Sequence, residues 1–125
     1  MMKRSKKKIA EIEDRIAMEI VVDAYGSEEQ AMGWYYYLEE KLSFPFKAKC
    51  IEERAISPLQ VGEKVEVVDM ALEDECEREM FVMVEWSGRR LGVPLSQLEG
   101  IRVDRDTKEA LRDWQYWIGR GYEFG

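Results

Sequence analysis

The sequence predicts an α+β fold with two N-terminal helices, a small curved antiparallel sheet and a C-terminal helix. Apolar residues recur at helical spacing up to about residue 42, and from residue 46 they alternate with a period of two. The helical spacing returns after residue 106. A length of 125 residues is typical of one domain. We therefore expect a single domain over residues 9–125, preceded by a basic extension at residues 1–8.

The two N-terminal helices follow from the first of these patterns. Four isoleucines recur at helical spacing between residues 9 and 20, which predicts an amphipathic helix over about residues 5–23. A Tyr-Gly pair then ends this helix. Ser27 is expected to be the N-cap of the second helix, with Gln30 completing a capping box, and this helix runs to about Leu42.

The alternating segment predicts a sheet, and the last segment predicts the closing helix. Four strands are expected over residues 46–50, 65–70, 80–86 and 90–95. Ser87-Gly88 is a hairpin turn signal, and residues 96–99 are expected to form a short helical turn. This succession of strands resembles an SH3-like barrel. Asp106 or Thr107 is expected to cap the final helix.

The composition excludes several classes of function. The chain has no histidine, so Ser-His-Asp and Cys-His catalysis are absent, and zinc or copper sites are disfavoured. Cys50 and Cys76 are far apart in the sequence and are expected to be reduced and buried. The formal charge of −7 argues against a nucleic-acid binder. No signal peptide or membrane span is expected, so the predicted location is cytoplasmic.

The charge is unevenly distributed along the chain. Residues 1–8 carry five basic side chains and no acidic one, which leaves a net charge of −12 on residues 9–125. A basic head of this kind is usually solvated, although it also suits contact with nucleic acid or anionic lipid. The body, in contrast, suits a hard cation or a basic partner.

Two carboxylates at the end of the second predicted helix are candidate metal ligands. Glu39 and Glu40 fall in its last turn, where the helix dipole makes each unfavourable by about 0.3–1 kcal/mol. A bound cation would reverse the sign of that effect, because carboxylates and free carbonyl oxygens are both hard ligands. Neutralisation by Lys41 and Lys47 is the alternative explanation.

Further candidate ligands lie in two loops. Residues 72–79 hold five carboxylates and one arginine, among them Glu73, Asp74 and Glu75. This segment is either a solvated hairpin loop or a platform for a divalent cation, and its spacing is not that of an EF-hand. Asp23, near the end of the first helix, either closes the loop by an Asx-type hydrogen bond or adds a ligand.

Aromatic side chains cluster on the predicted helices. They recur at helical spacing, which favours a place in the core over a ligand-stacking box. The residues concerned are Trp34, Tyr35, Tyr36, Tyr37, Trp114 and Trp117.

Several longer stretches resemble a known family. They are Met32-Gly33-Trp34-Tyr35-Tyr36-Tyr37-Leu38-Glu39-Glu40, Leu42-Ser43-Phe44-Pro45-Phe46-Lys47-Ala48 and Asp113-Trp114-Gln115-Tyr116-Trp117. Over residues 10–124 the sequence resembles the cyanobacterial calcium-binding protein family typified by CcbP. The resemblance implies a small, acidic, non-EF-hand protein that buffers or senses cytosolic Ca²⁺ and is not an enzyme. It also implies that an acidic residue near the helix-to-FPF junction matters for tight binding, where Glu39 and Glu40 lie.

The sequence therefore predicts a Ca²⁺-binding protein whose ligand is the calcium ion, with an unidentified protein partner as a further option and neither nucleic acid nor membrane as a target. Glu39 and Glu40 are the first expected ligands. Asp23, Glu73, Asp74 and Glu75 follow, from nearby loops or from a second site. The alternative is an SH3-like interaction module whose acidic surface docks a basic peptide or protein. A paired-carboxylate glycosidase is disfavoured, because a chain this short leaves little room for a sugar cleft.

Overall fold

Three α-helices and five strands make up the computed structural model, which describes residues 9–124. The helices are α1 (Ala10–Arg15), α2 (Ser27–Lys41) and α3 (Arg105–Gly119). The strands are β1 (Phe46–Cys50), β2 (Lys64–Met70), β3 (Phe81–Trp86), β4 (Arg89–Pro94) and β5 (Leu98–Ile101). The predicted α+β class is confirmed. The basic extension, residues 1–8, lies outside the described residues.

The first helix differs from the single helix predicted over residues 5–23. In the described part of the chain, α1 ends at Arg15 and continues as a π-helical turn over Ile16–Ile20. This turn packs tightly against α2 at Gly33. The two backbones are so close there that any side chain at position 33 would collide with the carbonyl oxygen of Ile20. None of the described helices is long and apolar enough to cross a bilayer.

Helix α2 begins where the sequence predicts, but its cap lies one residue earlier. Gly26 is the N-cap, so the prediction of Ser27 in that position is wrong. Glu29, and not Gln30, provides the capping-box carboxylate: its Oε1 accepts the backbone N–H groups of Tyr25 (2.9 Å) and Gly26 (3.1 Å). Both residue pairs satisfy the spacing rule for a capping box, which is why the sequence did not separate them.

The five strands form one antiparallel sheet in the order β4-β3-β2-β1-β5. The predicted turn at Ser87-Gly88 is confirmed, and both residues have positive φ, as a two-residue hairpin requires. The helical turn expected at residues 96–99 is wrong in part. A 3₁₀ turn covers Leu95–Gln97, and the chain then enters β5, which pairs with β1.

Aromatic side chains on α2 and α3 form the centre of the core. Trp34 and Trp114 are fully buried and pack edge to face, with ring centroids 5.0 Å apart. Tyr36 is the exception among the predicted core aromatics, since about half of it (48%) is exposed. Helix α3 is capped by Asp104, whose side chain accepts the N–H of Thr107 at 2.7 Å, so the predicted caps at Asp106 or Thr107 are wrong. Cys50 and Cys76 are free and buried, as predicted.

Candidate metal centre

Two neighbouring tyrosines connect α2 to the segment that follows β2. The hydroxyl of Tyr35 donates a hydrogen bond to the carbonyl oxygen of Ala71 (2.6 Å). The hydroxyl of Tyr36 donates to Oε2 of Glu73 (2.8 Å), the first residue of a 3₁₀ turn over Glu73–Cys76 that we call the acidic turn. The middle of α2 therefore lies against the acidic turn.

Glu39 lies on the same side of α2 as these tyrosines, because residues three and four apart are neighbours on a helix surface. The hydrogen bond to Glu73 raises the pKa of Tyr36, and the charges of Glu73 and Glu39 raise it further. Burial raises the pKa of Tyr35 to about 12, and the charges of Glu39, Glu73 and Asp69 contribute to that rise. The charges of three carboxylates thus act on one pair of phenol groups.

We call Glu39, Asp69 and Glu73 the helix-end site. All three side chains belong to exposed residues, and the charged groups that shift the pKa of Tyr36 are both negative. Oδ1 of Asp69 accepts the N–H of Met70, which leaves its second oxygen for another partner. Exposed carboxylates are the oxygen donors that a hard ion such as Ca²⁺ prefers.

The donor atoms fit such an ion in kind, but side chains alone would not fill its coordination shell. Among the residues described, no group of three or more histidine, cysteine, aspartate or glutamate side chains converges on one point. Ca²⁺ takes six to eight oxygens, and backbone carbonyls and water commonly supply some of them. Glu39 lies in the last turn of α2, where the final carbonyls lack helical partners and are oxygens of this kind.

The six predicted ligands are distributed over two regions. Glu73 is hydrogen-bonded to Tyr36, and the charge of Glu39, one turn further along α2, also acts on that phenol. Glu40 follows on α2, rotated by about 100° around the helix axis. Asp23 lies before the other end of α2, in a turn with positive φ, and fifteen helical residues separate the two regions by roughly 22 Å. Asp23 therefore does not share a coordination shell with Glu39.

Asp74 and Glu75 follow Glu73 in the acidic turn, and both are exposed. Asp74 also lines a groove of about 820 Å³ between the start of α2, the acidic turn and the C-terminal segment. Two arginines, Arg54 and Arg78, line the same groove, and Arg54 forms a two-bond ion pair with Glu79. Six acidic side chains line it: Glu28, Glu73, Asp74, Glu77, Glu79 and Glu123.

Sequence reasoning did not identify Asp69 or Tyr36 as part of this centre. Asp69 reads as an ordinary outward position of a strand, and Tyr36 reads as one of three consecutive core tyrosines. Their relevance depends on the packing of β2 and the acidic turn against α2, which brings residues more than thirty positions apart into contact. No local signal in the sequence encodes that contact.

A second tyrosine–carboxylate contact lies in the core. Asp113 is fully buried and accepts hydrogen bonds from Nε (2.8 Å) and Nη2 of Arg15 and from the hydroxyl of Tyr37 (2.7 Å). The hydrogen bond from Arg15 to Asp113 raises the pKa of the guanidinium, and burial raises the pKa of Tyr37. This carboxylate is already neutralised by a cation of the chain, so it is not available to an external ion.

The structure therefore describes an α+β domain with exposed carboxylates where α2 meets the acidic turn. The sequence matches the family model described as calcium binding, that of CcbP, over residues 14–118. The chain therefore belongs to the CcbP family of calcium-binding proteins.

Two solved structures are similar over nearly the whole chain. The crystal structure of CcbP from Anabaena has 44% sequence identity and a TM-score of 0.86, with 98% of this chain and 100% of that chain covered. A calcium-binding protein in its calcium-binding form has 43% identity, a TM-score of 0.85 and the same coverage of both chains. No curated protein matches this sequence.

Proposed function

We propose that this protein binds Ca²⁺ at the helix-end site and catalyses no reaction, with Glu39 and Glu73 as its carboxylate ligands. The observation that carries this proposal is the hydrogen bond from Tyr36 to the exposed Glu73 carboxylate, on the side of α2 where Glu39 also lies. Membership of a calcium-binding family supports it, as does the similar structure of a protein in its calcium-binding form.

The remaining ligands are proposed from their places in the chain. Further carboxylates are available from Glu40, which follows Glu39, and from Asp74 and Glu75, which follow Glu73. Carbonyl oxygens at the end of α2 and water complete the shell. The ligands come from a helix end and a distant 3₁₀ turn, so this is a calcium site of non-EF-hand type. Asp23 is too far from α2's last turn to join it and would belong to a separate, weaker site.

The electrostatics favour an ion here. The negative end of the α2 dipole and the net −12 of residues 9–125 both disfavour unneutralised carboxylates at this point. A bound Ca²⁺ relieves that repulsion. We propose that the protein acts in the cytosol as a calcium buffer or sensor.

The test is calorimetric titration of chelator-stripped protein with Ca²⁺, repeated in millimolar Mg²⁺. We expect binding that survives Mg²⁺, since the site offers flexible oxygen donors and no rigid octahedral cage. Glu39→Gln and Glu73→Gln should each weaken binding by about tenfold or more, because Ca²⁺ affinity depends on the number of charged ligands.

Glu53→Gln is the matched control, because it removes one exposed carboxylate from the loop after β1 and should leave the affinity unchanged. Wild-type protein that gives no binding heat, or heat that Mg²⁺ abolishes, would contradict the proposal. An equal loss of Ca²⁺ affinity in Glu39→Gln, Glu73→Gln and Glu53→Gln would mean that only the general surface charge matters.

The groove described above favours a second candidate function, the docking of a basic peptide. Its six acidic side chains outnumber its two arginines. Its apolar lining comes from Met32, Trp117, Ile118 and Phe124. Such an arrangement suits a peptide with alternating lysine and apolar residues. Binding of a peptide of that composition, with an affinity unaffected by Ca²⁺ and lost in Glu28→Gln/Glu123→Gln, would support this function. No binding at low salt would exclude it.

A further inference from the structure

We propose that Tyr36 is a positioning residue for calcium binding: its hydroxyl holds the Glu73 carboxylate against the side of α2 on which Glu39 lies. The inference rests on the proposed function and deepens it. Tyr36 is not itself a ligand in this account. It acts on the ion through Glu73.

The hydrogen bond leaves Glu73 free to bind metal. Tyr36 donates to Oε2 at 2.8 Å, and a carboxylate has about four lone-pair sites on its two oxygens. Oε1 and the remaining positions on Oε2 therefore stay available. The side chain is fixed at one atom and open at the other.

Tyr36 is itself held in place by the core. Its ring packs edge-on against Tyr35, with centroids 5.8 Å apart and planes at 85°. Tyr35 is buried, and its hydroxyl is bonded to the carbonyl oxygen of Ala71, two residues before Glu73. The two tyrosines thus tie both the backbone and the carboxylate of this segment to α2.

Fixing a ligand before the ion arrives lowers the entropy that binding must remove. A glutamate side chain has three rotatable bonds, and Glu73 is exposed, so without Tyr36 it would sample several rotamers. Immobilising a side chain of this kind on binding weakens affinity by about two- to tenfold. The same factor is therefore expected on removal of the Tyr36 hydroxyl.

The experiment is a double-mutant cycle of Tyr36→Phe and Glu73→Gln, measured by Ca²⁺ calorimetry. We expect Tyr36→Phe to weaken binding by about two- to tenfold in the wild-type background and to have no effect when Glu73 is already glutamine. Tyr25→Phe is the matched control: it removes an identical hydroxyl from a residue that is 86% exposed near the other end of α2, and it should change nothing.

A second readout separates positioning from a structural role. The melting temperature of the Ca²⁺-free protein should be the same for Tyr36→Phe and wild type, because Tyr36 is half exposed. A lower melting temperature together with an equal loss of affinity in both backgrounds would overturn the inference. Unchanged or tighter binding by Tyr36→Phe would also overturn it, while the proposed function would stand as long as the wild type binds Ca²⁺.

Discussion

Tyr36 and Tyr37 are consecutive residues of α2, and each donates a hydrogen bond to a carboxylate from a distant part of the chain. Tyr37 bonds to Asp113, which is fully buried and also bound twice by Arg15. Tyr36 bonds to Glu73, which is exposed, and the other charge that acts on this phenol is that of a second acid, Glu39. The two faces of α2 therefore carry the same tyrosine–carboxylate hydrogen bond. On the buried face, the carboxylate is also paired with an arginine.

The difference follows from burial. An ionised carboxylate in the interior requires a partner from the chain, because an uncompensated buried charge is very costly. At the surface, water screens the charge, so an acidic cluster persists without a partner. Arg15 neutralises the carboxylate on the buried face, whereas the carboxylates of the helix-end site are accessible to an ion from solution.

The largest effect is expected from removing the internal cation. Arg15→Met leaves Asp113 buried with only the hydroxyl of Tyr37 and should lower the free energy of unfolding by about 3–5 kcal/mol. Urea denaturation of the Ca²⁺-free protein measures it. Arg15→Lys keeps the charge but loses the two-bond geometry, so its loss should be smaller. If Arg15→Lys lost as much stability as Arg15→Met, the two-bond geometry of Arg15 and Asp113 would matter more than the charge.

Saturation with Ca²⁺ should have the next largest effect, and at the opposite face. A ligand at one hundred times its dissociation constant stabilises the folded state by about 2.7 kcal/mol. The melting temperature should rise accordingly in the wild type and stay constant in Glu39→Gln/Glu73→Gln. The same rise in the double variant would place the ion elsewhere.

Removal of the buried hydroxyl should separate the two faces directly. Tyr37→Phe deletes a hydrogen bond to a charged group in the interior and should cost about 1.5–3 kcal/mol of stability. Its Ca²⁺ affinity should equal that of the wild type, whereas Tyr36→Phe is expected to change affinity and not stability. Chemical denaturation and calorimetry on both variants give the comparison. A loss of Ca²⁺ affinity in Tyr37→Phe would mean that the two faces are coupled.

The smallest effect is expected on the pH dependence of stability, from the N-cap residue of α3, Asp104. The N–H of Thr107 lowers the pKa of Asp104, and the side chains of Ser43 and Thr107 lower it further. A depressed pKa contributes stability above the ordinary value of the group, and that stability is lost as the pH falls through the lowered pKa. Asp104→Asn keeps a capping oxygen and removes the charge. Its stability should therefore fall less steeply on acidification than that of the wild type, as thermal melts between pH 2 and 7 would show.

The elements of the fold were largely predictable because they depend on local patterns. The periods of apolar residues gave α2, α3 and four strands to within a few residues. The errors fall where local rules are degenerate: Gly26 and Ser27 both fit an N-cap, and the four residues of Leu98–Ile101 are too few to show alternation. The π-helical turn at Ile16–Ile20 depends on its contact with Gly33, which no helical period encodes.

The sites were less predictable than the fold. Glu39 stands out because an acid at a helix C-terminus opposes the dipole, and Glu73 stands out by the charge density of its segment. Their contact through Tyr36 depends on tertiary packing. Arg15 and Asp113 were not recognised as an ion pair, because each reads as an exposed charge until the two helices are placed side by side.

The central claim is that Glu39 and Glu73 take up an external cation, whereas Asp113 is already neutralised by Arg15. The most direct test follows the side-chain carboxyl carbon resonances of these three residues by NMR during a Ca²⁺ titration. We predict that the resonances of Glu39 and Glu73 shift together and saturate at one equivalent of bound ion, while that of Asp113 stays in place. A shift at Asp113, or stationary resonances of Glu39 and Glu73 in protein that binds Ca²⁺, would contradict the account.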